Sequence, residues 1–224
     1  VLIIPVILYA QYDKKFRFRM KICPNYDCIV PETNNYNNDG GTVGFGWGLI
    51  ADINLRDNYY WSTGFGLSYT GGKLSYNTDY PMPRDNNSDT ILTGKVFREY
   101  SFRYLEIPLL FKMKTMNYRE FRFFGQMGLI PAFNLRTHAD DVFYPTGGTS
   151  FQNEPDVSYV TNTMRLSVYI GGGVEYHFDK STFLTAGLGF NNSFTDIFSG
   201  YNTRLKASED AISNYLELSL GIIF

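Results

Sequence analysis

From Tyr12 the chain reads in twos. Phe16, Phe18, Met20 and Ile22 alternate with Arg17, Arg19 and Lys21, the signature of a strand with one apolar and one polar face. Val43, Phe45, Trp47, Leu49, Ala51 and Ile53 repeat the pattern against Gly44, Gly46, Gly48, Ile50, Asp52 and Asn54. Trp61, Thr63, Phe65, Leu67 and Tyr69 repeat it against Ser62, Gly64, Gly66 and Ser68. A fourth strand contains the run YLEIPLLFK, Tyr104 to Lys112, and a fifth extends from about Arg119 to Asn134. The sixth sets Leu166, Val168, Ile170, Val174, Tyr176 and Phe178 against Ser167, Tyr169, Gly171, Gly173, Glu175 and His177. Leu184, Ala186, Leu188 and Phe190 mark a seventh; Leu216, Leu218, Leu220, Ile222 and Phe224 mark an eighth.

The links between these segments alternate too. Short ones fall at about 55–58, 114–118 and 179–181, and long polar ones at about 23–42, 71–96, 135–163 and 192–213. An even strand number with short turns on one side and long loops on the other is the plan of an outer-membrane barrel. The expected fold is therefore all-β: an eight-stranded antiparallel up-and-down transmembrane β-barrel, with four long extracellular loops and three short periplasmic turns, forming one domain over residues 12–224. A soluble sandwich would hide its apolar faces in pairs. Here the face opposite each apolar row is rich in Gly, Ser and charge, which suits the narrow, side-chain-filled lumen of a small barrel. Tyr59, Tyr60, Trp61, Tyr118 and Phe178 cluster near the short turns and form the expected lower aromatic girdle. The closing set Leu216, Leu218, Leu220, Ile222 and Phe224 has the form of a terminal assembly signal, which makes the barrel assembly machinery a partner during insertion.

This geometry decides where the charges go. A charge facing lipid near the midplane costs roughly 2 to 4 kcal/mol, so Leu105, Ile107, Leu109, Phe111 and Met113 are expected outside and Glu106, Pro108, Leu110 and Lys112 inside. The predicted lumen ion network is Arg17, Arg19, Lys21, Lys112, Arg122 and Arg165 against Asp52, Glu106, Glu175 and Glu217. Equal height above the short turns pairs Lys21 with Glu217 and Arg122 with Glu175. Pro108 gives up a ladder bond and marks an expected bulge. One conflict appears in the fourth strand, where Glu99 and Arg103 share a face with Ile107. Either the strand slips phase near Tyr104 or it has left the membrane there. Because a bilayer needs only about 9 to 11 residues of strand, emergence is the favoured expectation, with long loops carried on β-extensions.

Composition narrows the function classes. The 20 Lys and Arg against 22 Asp and Glu leave no basic face for nucleic acid. VLIIPVILYA, residues 1–10, has the length and apolarity of a partial signal peptide, the alternative being an N-terminal buried strand. Cys23 and Cys28, in the first expected loop as C-x4-C, have the wrong spacing for a redox pair or a complete zinc site; a local disulfide in an oxidising compartment is the preferred reading. His177 beside Glu175 reads as lumen packing rather than an acid-base pair. His138 with Asp140 and Asp141, or with Glu154 and Asp156, reads as a solvated acidic loop rather than a divalent-cation site. No catalytic residue, metal site or cofactor is called for.

The stretch WSTGFGLSYTGGKLSY (Trp61 to Tyr76), the run YLEIPLLFK and a closing strand ending on Phe resemble the PorT-type outer-membrane β-barrel family of Bacteroidota. The resemblance covers the chain from Tyr12 and implies an outer-membrane location in a Gram-negative bacterium, in contact with outer-membrane lipid and lipopolysaccharide. It also implies a non-enzymatic role as an accessory or structural component of a larger outer-membrane protein complex, with a link to type IX secretion. Two other classes stay open: a surface barrel whose loops bind an external partner, and, more weakly, a lipid A-modifying barrel enzyme.

Overall fold

The computed structural model describes residues 15–32, 36–82, 90–146, 149–155, 157, 160–179, 181–202, 207–208 and 210–224. The expected signal segment, residues 1–10, lies outside them, as does Asp156 of the expected acidic loop. The strands are β1 (Phe16–Pro31), β2 (Tyr36–Asn38), β3 (Thr42–Arg56), β4 (Tyr59–Met82), β5 (Thr90–Glu106), β6 (Leu109–Lys114), β7 (Phe121–Pro145), β8 (Phe151–Asn153), β9 (Met164–His177), β10 (Phe183–Ser193), β11 (Tyr201–Asn202), β12 (Ala207–Ser208) and β13 (Ala211–Ile223).

Hydrogen-bonded neighbours follow the order β4, β3, β1, β13, β10, β9, β7, β5, and β5 returns to β4. Every pairing is antiparallel, so the sheet closes into a ring of eight staves. The eighth stave is made of β5 and β6 in series, since β6 also pairs with β4 and β7. The break between them falls at Ile107 and Pro108, where proline has no N–H to give the ladder; the Ile107 amide still bonds to the Pro131 carbonyl at 2.9 Å. At the short end, β3 and β4 turn through Asp57, whose φ of 44° is a conformation Asp tolerates better than most residues.

Lengths differ strongly around the ring. β4 has 24 residues and β7 has 25, more than twice the span a bilayer requires. Much of the sequence expected to be loop is therefore strand. β1 continues through the first expected loop to Pro31, β4 and β5 stay paired up to Met82 and Thr90, and β7 runs on to Pro145. Short β2 and β8 lie beside β4 and β7 above the heights where β3 and β9 stop.

Of the two readings of the phase conflict, a slip near Tyr104 is not seen, which leaves the favoured one, emergence of the strand above the membrane. β5 keeps strict alternation through Tyr104, with Tyr100, Phe102 and Tyr104 buried and Ser101 and Arg103 exposed. The irregularity is in β7: Arg103 opposes Arg136, but Tyr104 opposes Asn134. Leu135 is thus an extra residue, a β-bulge that reverses which residues of β7 face outward. Below it Phe133 points out and Ala132 in; above it Ala139 and Phe143 point in.

Candidate functional site

Alternation places the charged residues of the lower barrel inside, and the interior they form is filled in layers. Nearest the short turns, Lys112 Nζ lies 3.0 Å from Asp52 Oδ2 and 2.7 Å from Glu175 Oε1. Lys114 Nζ stands 3.0 Å from the same Glu175 oxygen, and Arg19 approaches Asp52 at 3.6 Å. Ser62 donates to Asp52 at 2.6 Å. Aromatic faces line this layer: Lys112 is 4.4 Å from the Phe124 ring centroid and Lys114 is 4.2 Å from that of Tyr60, separations at which a cation and a ring quadrupole attract.

In the middle layer Lys21 Nζ is 3.4 Å from Glu217 Oε1 across the β1–β13 seam. The Tyr169 hydroxyl donates to the same Glu217 oxygen at 2.8 Å and accepts from Gln126 Nε2 at 3.3 Å. Glycine makes room for this ring: a Cβ on Gly189 would collide with Tyr169. The cavity left beside Lys21, Glu217 and Glu106 measures about 20 Å³, space for roughly one water.

Above it, Arg165 donates to Glu106 at 2.9 Å and to Ser213 at 3.2 Å, and Tyr215 donates to Glu106 at 3.1 Å. Ser213 in turn donates a hydrogen bond to Asp27 at 3.1 Å, while the Gly71 amide donates to the other Asp27 oxygen at 2.9 Å. The Arg165 guanidinium is 4.2 Å from the Tyr104 ring centroid. Glu106 is thus held by one guanidinium and one phenol, a charge-assisted pair of the strong kind.

Above Tyr104 the interior changes character. Ile29, Leu74, Tyr100, Phe102, Ala139, Val157, Ile197, Phe198 and Ala211 form one buried apolar cluster with Tyr104, and its lowest member is Ala132, opposite Glu106. Phe198 packs against Tyr100 at 4.8 Å between centroids. The segment bearing it is tied across the mouth, where Asn162 Nδ2 donates to the carbonyls of Asp196 at 2.8 Å and Phe198 at 3.0 Å, and the Ile197 amide bonds to Ala211 O at 2.9 Å. Within this upper section Arg98 pairs with Asp141 through two bonds of 2.5 and 2.6 Å, and on the outer face Lys73 lies 3.4 Å from Glu99.

Several sequence expectations are corrected. Arg122 and Glu175 are register partners, but Arg122 turns toward the short link and bonds Asn117 at 2.7 Å, leaving Glu175 to Lys112 and Lys114. Arg17 joins no carboxylate in this network; its guanidinium lies 5.1 Å from the Phe183 ring centroid. Cys23 and Cys28 are free and occupy one strand, not a loop. Five residues of extended chain separate them by about 16 Å and on opposite faces, far beyond the roughly 7 Å a disulfide tolerates between Cα atoms. Tyr60 faces the lumen at 4% exposure, whereas Tyr59, Trp61, Tyr118 and Phe178 face outward. Of the acidic loop set, Asp141 points inward to Arg98, and His138 and Asp140 stand on β7 with Glu154 nearby, their donor atoms within 4.8 Å of one another. His177 stacks on Phe183 at 4.7 Å.

Lys114 and Asp27 were missed. Both follow from continuing the inward alternation, by two residues from Lys112 to Lys114 and by six from Lys21 to Asp27. On the closing strand the outward row is apolar: Leu216, Leu218, Leu220, Ile222 and Phe224 are each 39 to 53% exposed, as a lipid-facing surface requires.

Among curated proteins none matches the sequence significantly. Among solved structures the chain is similar to Neisserial surface protein A, at 11% identity and a TM-score of 0.43 over 92% of this chain and 95% of that one. It is also similar to the attachment invasion locus protein of Yersinia pestis, at 12% identity and a TM-score of 0.34 over 94% and 99%. A third similarity is to the outer membrane protease OmpT of Escherichia coli, at 9% identity and a TM-score of 0.42 over 93% and 96%. The model of the outer membrane protein beta-barrel domain matches residues 9–199. With that match over a closed eight-stave ring, apolar outside and ion-paired within, the chain belongs to the outer membrane protein beta-barrel domain family and resides in the outer membrane.

Proposed function

We propose that this barrel is a non-enzymatic accessory or structural component of a larger outer-membrane assembly, PorT-like and linked to type IX secretion. The observation that carries the reading is that the interior is filled at each level described: ion pairs around Asp52, a cavity of only about 20 Å³ at mid-height, and the Tyr100–Phe102–Phe198 cluster at the outer mouth. A filled interior leaves the outer surface as the working surface. The long β4–β5–β7 sheet, which stands above the lipid-facing rows, presents Lys73, Glu99 and Asp140 outward and offers a stiff docking edge for a larger complex. Insertion would proceed through the barrel assembly machinery.

The test is native purification from outer membrane in mild detergent, with the tag placed in a surface loop. A stoichiometric secretion complex that dissociates when Lys73 and Glu99 are both replaced by Ala is the expected result. A barrel that migrates alone, with secretion unaffected by its deletion, overturns the reading. A second reading, in which the surface loops bind an external partner, is favoured by the clustering of His138, Asp140 and Glu154 on the emergent face; it predicts binding to intact cells that is lost with those three residues.

A further inference from the structure

We propose that Arg103 and Arg136 form a headgroup site for the phosphorylated glycolipid of the outer leaflet. The starting point is the bulge at Leu135. Without that extra residue, Arg136 would stay in phase with Ala132 and Asn134 and point into the barrel; with it, Arg136 turns outward, and re-aiming a side chain is a recurrent use of bulges. The place to which it turns is already basic. Arg136 is the direct cross-strand partner of Arg103 on β5, which also faces outward. Like charges directly opposite each other on one face are unfavourable, and among the described residues no carboxylate lies within ion-pair distance of either guanidinium. Two rows above, among the described residues, Asp140 is 3.3 Å from His138 and its cross-strand partner Glu99 is 3.4 Å from Lys73, so both acids are engaged away from the arginines.

Height identifies the ligand. One row below, Leu105 opposes Phe133, and Leu67 opposes Leu105, so the arginine pair is the first charge above the lipid-facing rows of β5 and β7. That is the level of the headgroups. Tyr69 completes the row, with the Arg103 guanidinium 5.0 Å from its ring centroid. Tyr69, Ser101, Arg103, Arg136 and His138 border a shallow groove of about 230 Å³. Two planar guanidinium forks suit a phosphate monoester, which each can meet with paired N–H bonds. Acyl chains of the same molecule would descend over Leu105, Phe133 and the exposed Leu135. A bridging phosphate turns the repulsion between the arginines into a shared attraction. The site does not depend on the accessory role proposed above.

The test uses the purified full chain in neutral detergent, titrated with bisphosphorylated lipid A and with the same lipid after enzymatic dephosphorylation, and read by native mass spectrometry. The protein should bind the phosphorylated lipid at least tenfold more tightly than the dephosphorylated one. The double variant Arg103→Gln, Arg136→Gln should lose that preference, while Arg56→Gln, at the opposite mouth, should keep it. Arg103→Lys, which retains charge but not the fork, should fall in between and remains informative if the double variant does not fold. Equal binding of the two lipids by the unmodified chain overturns the proposal, as does undiminished preference in the Arg103→Lys and double variants together.

Discussion

The lower and upper halves of this barrel are built by opposite rules. At membrane height the interior holds Lys112, Asp52, Glu175, Arg165 and Glu106, and the exterior holds Leu, Ile and Phe. Above Tyr104 the interior holds Tyr100, Phe102 and Phe198, and the exterior holds Arg103, Glu99 and Lys73. A single strand, β5, passes through both halves without changing phase. What changes is the solvent outside: lipid demands an apolar exterior and leaves the polar groups to satisfy one another within, whereas water permits an ordinary apolar core. The same chain is an inside-out protein for part of its height and a conventional one for the rest.

Substitutions that ignore this boundary should have the largest effects. Lys112→Met leaves Asp52 and Glu175 buried with a diminished counter-charge and should destabilise the barrel by about 3 to 5 kcal/mol, measured as urea unfolding in detergent micelles and as loss of heat-resistant migration on gels. Phe102→Ala should remove a similar amount, about 3 to 5 kcal/mol, but from the upper half alone: protease should cut the emergent β4–β5 ribbon while the membrane ring stays protected. Simultaneous loss of both halves in that variant would mean they fold as one unit. Leu129→Arg, on the lipid face, should cost about 2 to 4 kcal/mol, whereas Phe97→Arg, outward on the emergent section, should stay within about 0.5 kcal/mol. Equal costs would place the boundary elsewhere.

Smaller changes sharpen the picture. Tyr215→Phe removes the 3.1 Å donor to Glu106 while Arg165 remains, so a loss of about 1 kcal/mol is expected; no measurable loss would indicate that Arg165 alone satisfies the carboxylate. The smallest effect concerns the cap over the mouth. Partial burial and the neighbouring Asp210 raise the Asp196 carboxyl above its ordinary range. A raised folded value means that the folded cap binds a proton more readily than the unfolded chain does. Its stability is therefore greater at acid pH and declines as pH rises through the raised value. Protection of the Ile197 and Asn162 amides from exchange, corrected for intrinsic rate, should fall modestly as the pH is raised from acid to neutral in the unmodified chain and stay flat in Asp196→Asn.

The boundary also explains which parts of the molecule were legible in the sequence. Staves at membrane height could be read because lipid enforces a period of two, and the seam pair Lys21 and Glu217 followed from counting heights. Extension of the fourth stave above the membrane was legible from Glu99 and Arg103, but how far β1 and β7 continue was hidden, because the rule that apolar residues face out is reversed there. Asp27, Cys23 and Cys28 looked like loop residues for that reason, and Glu99 and Arg103 looked out of phase with Ile107. Register alone could not supply Arg122: its Cα stands opposite Glu175, but a long side chain near a turn has Asn117 within reach as well. Lys114 was lost by ending a strand one alternation early, and with it the third cation of the lowest layer. The bulge at Leu135 left no sign that composition would reveal, since an extra residue alters spacing and not residue type.

The seam between β1 and β13 has a kinetic side. Lys21 and Glu217 are 196 residues apart, so the bonds that close the ring are among the last that a growing chain can form. Contacts of such sequence separation slow folding, and until they form, both strands present unpaired edges that would join any other strand they met. The ring therefore has no stable half-built form in water. Its two open edges must be kept apart from other chains until they find each other, and once they do, opening the seam means giving up a whole stave of hydrogen bonds at once.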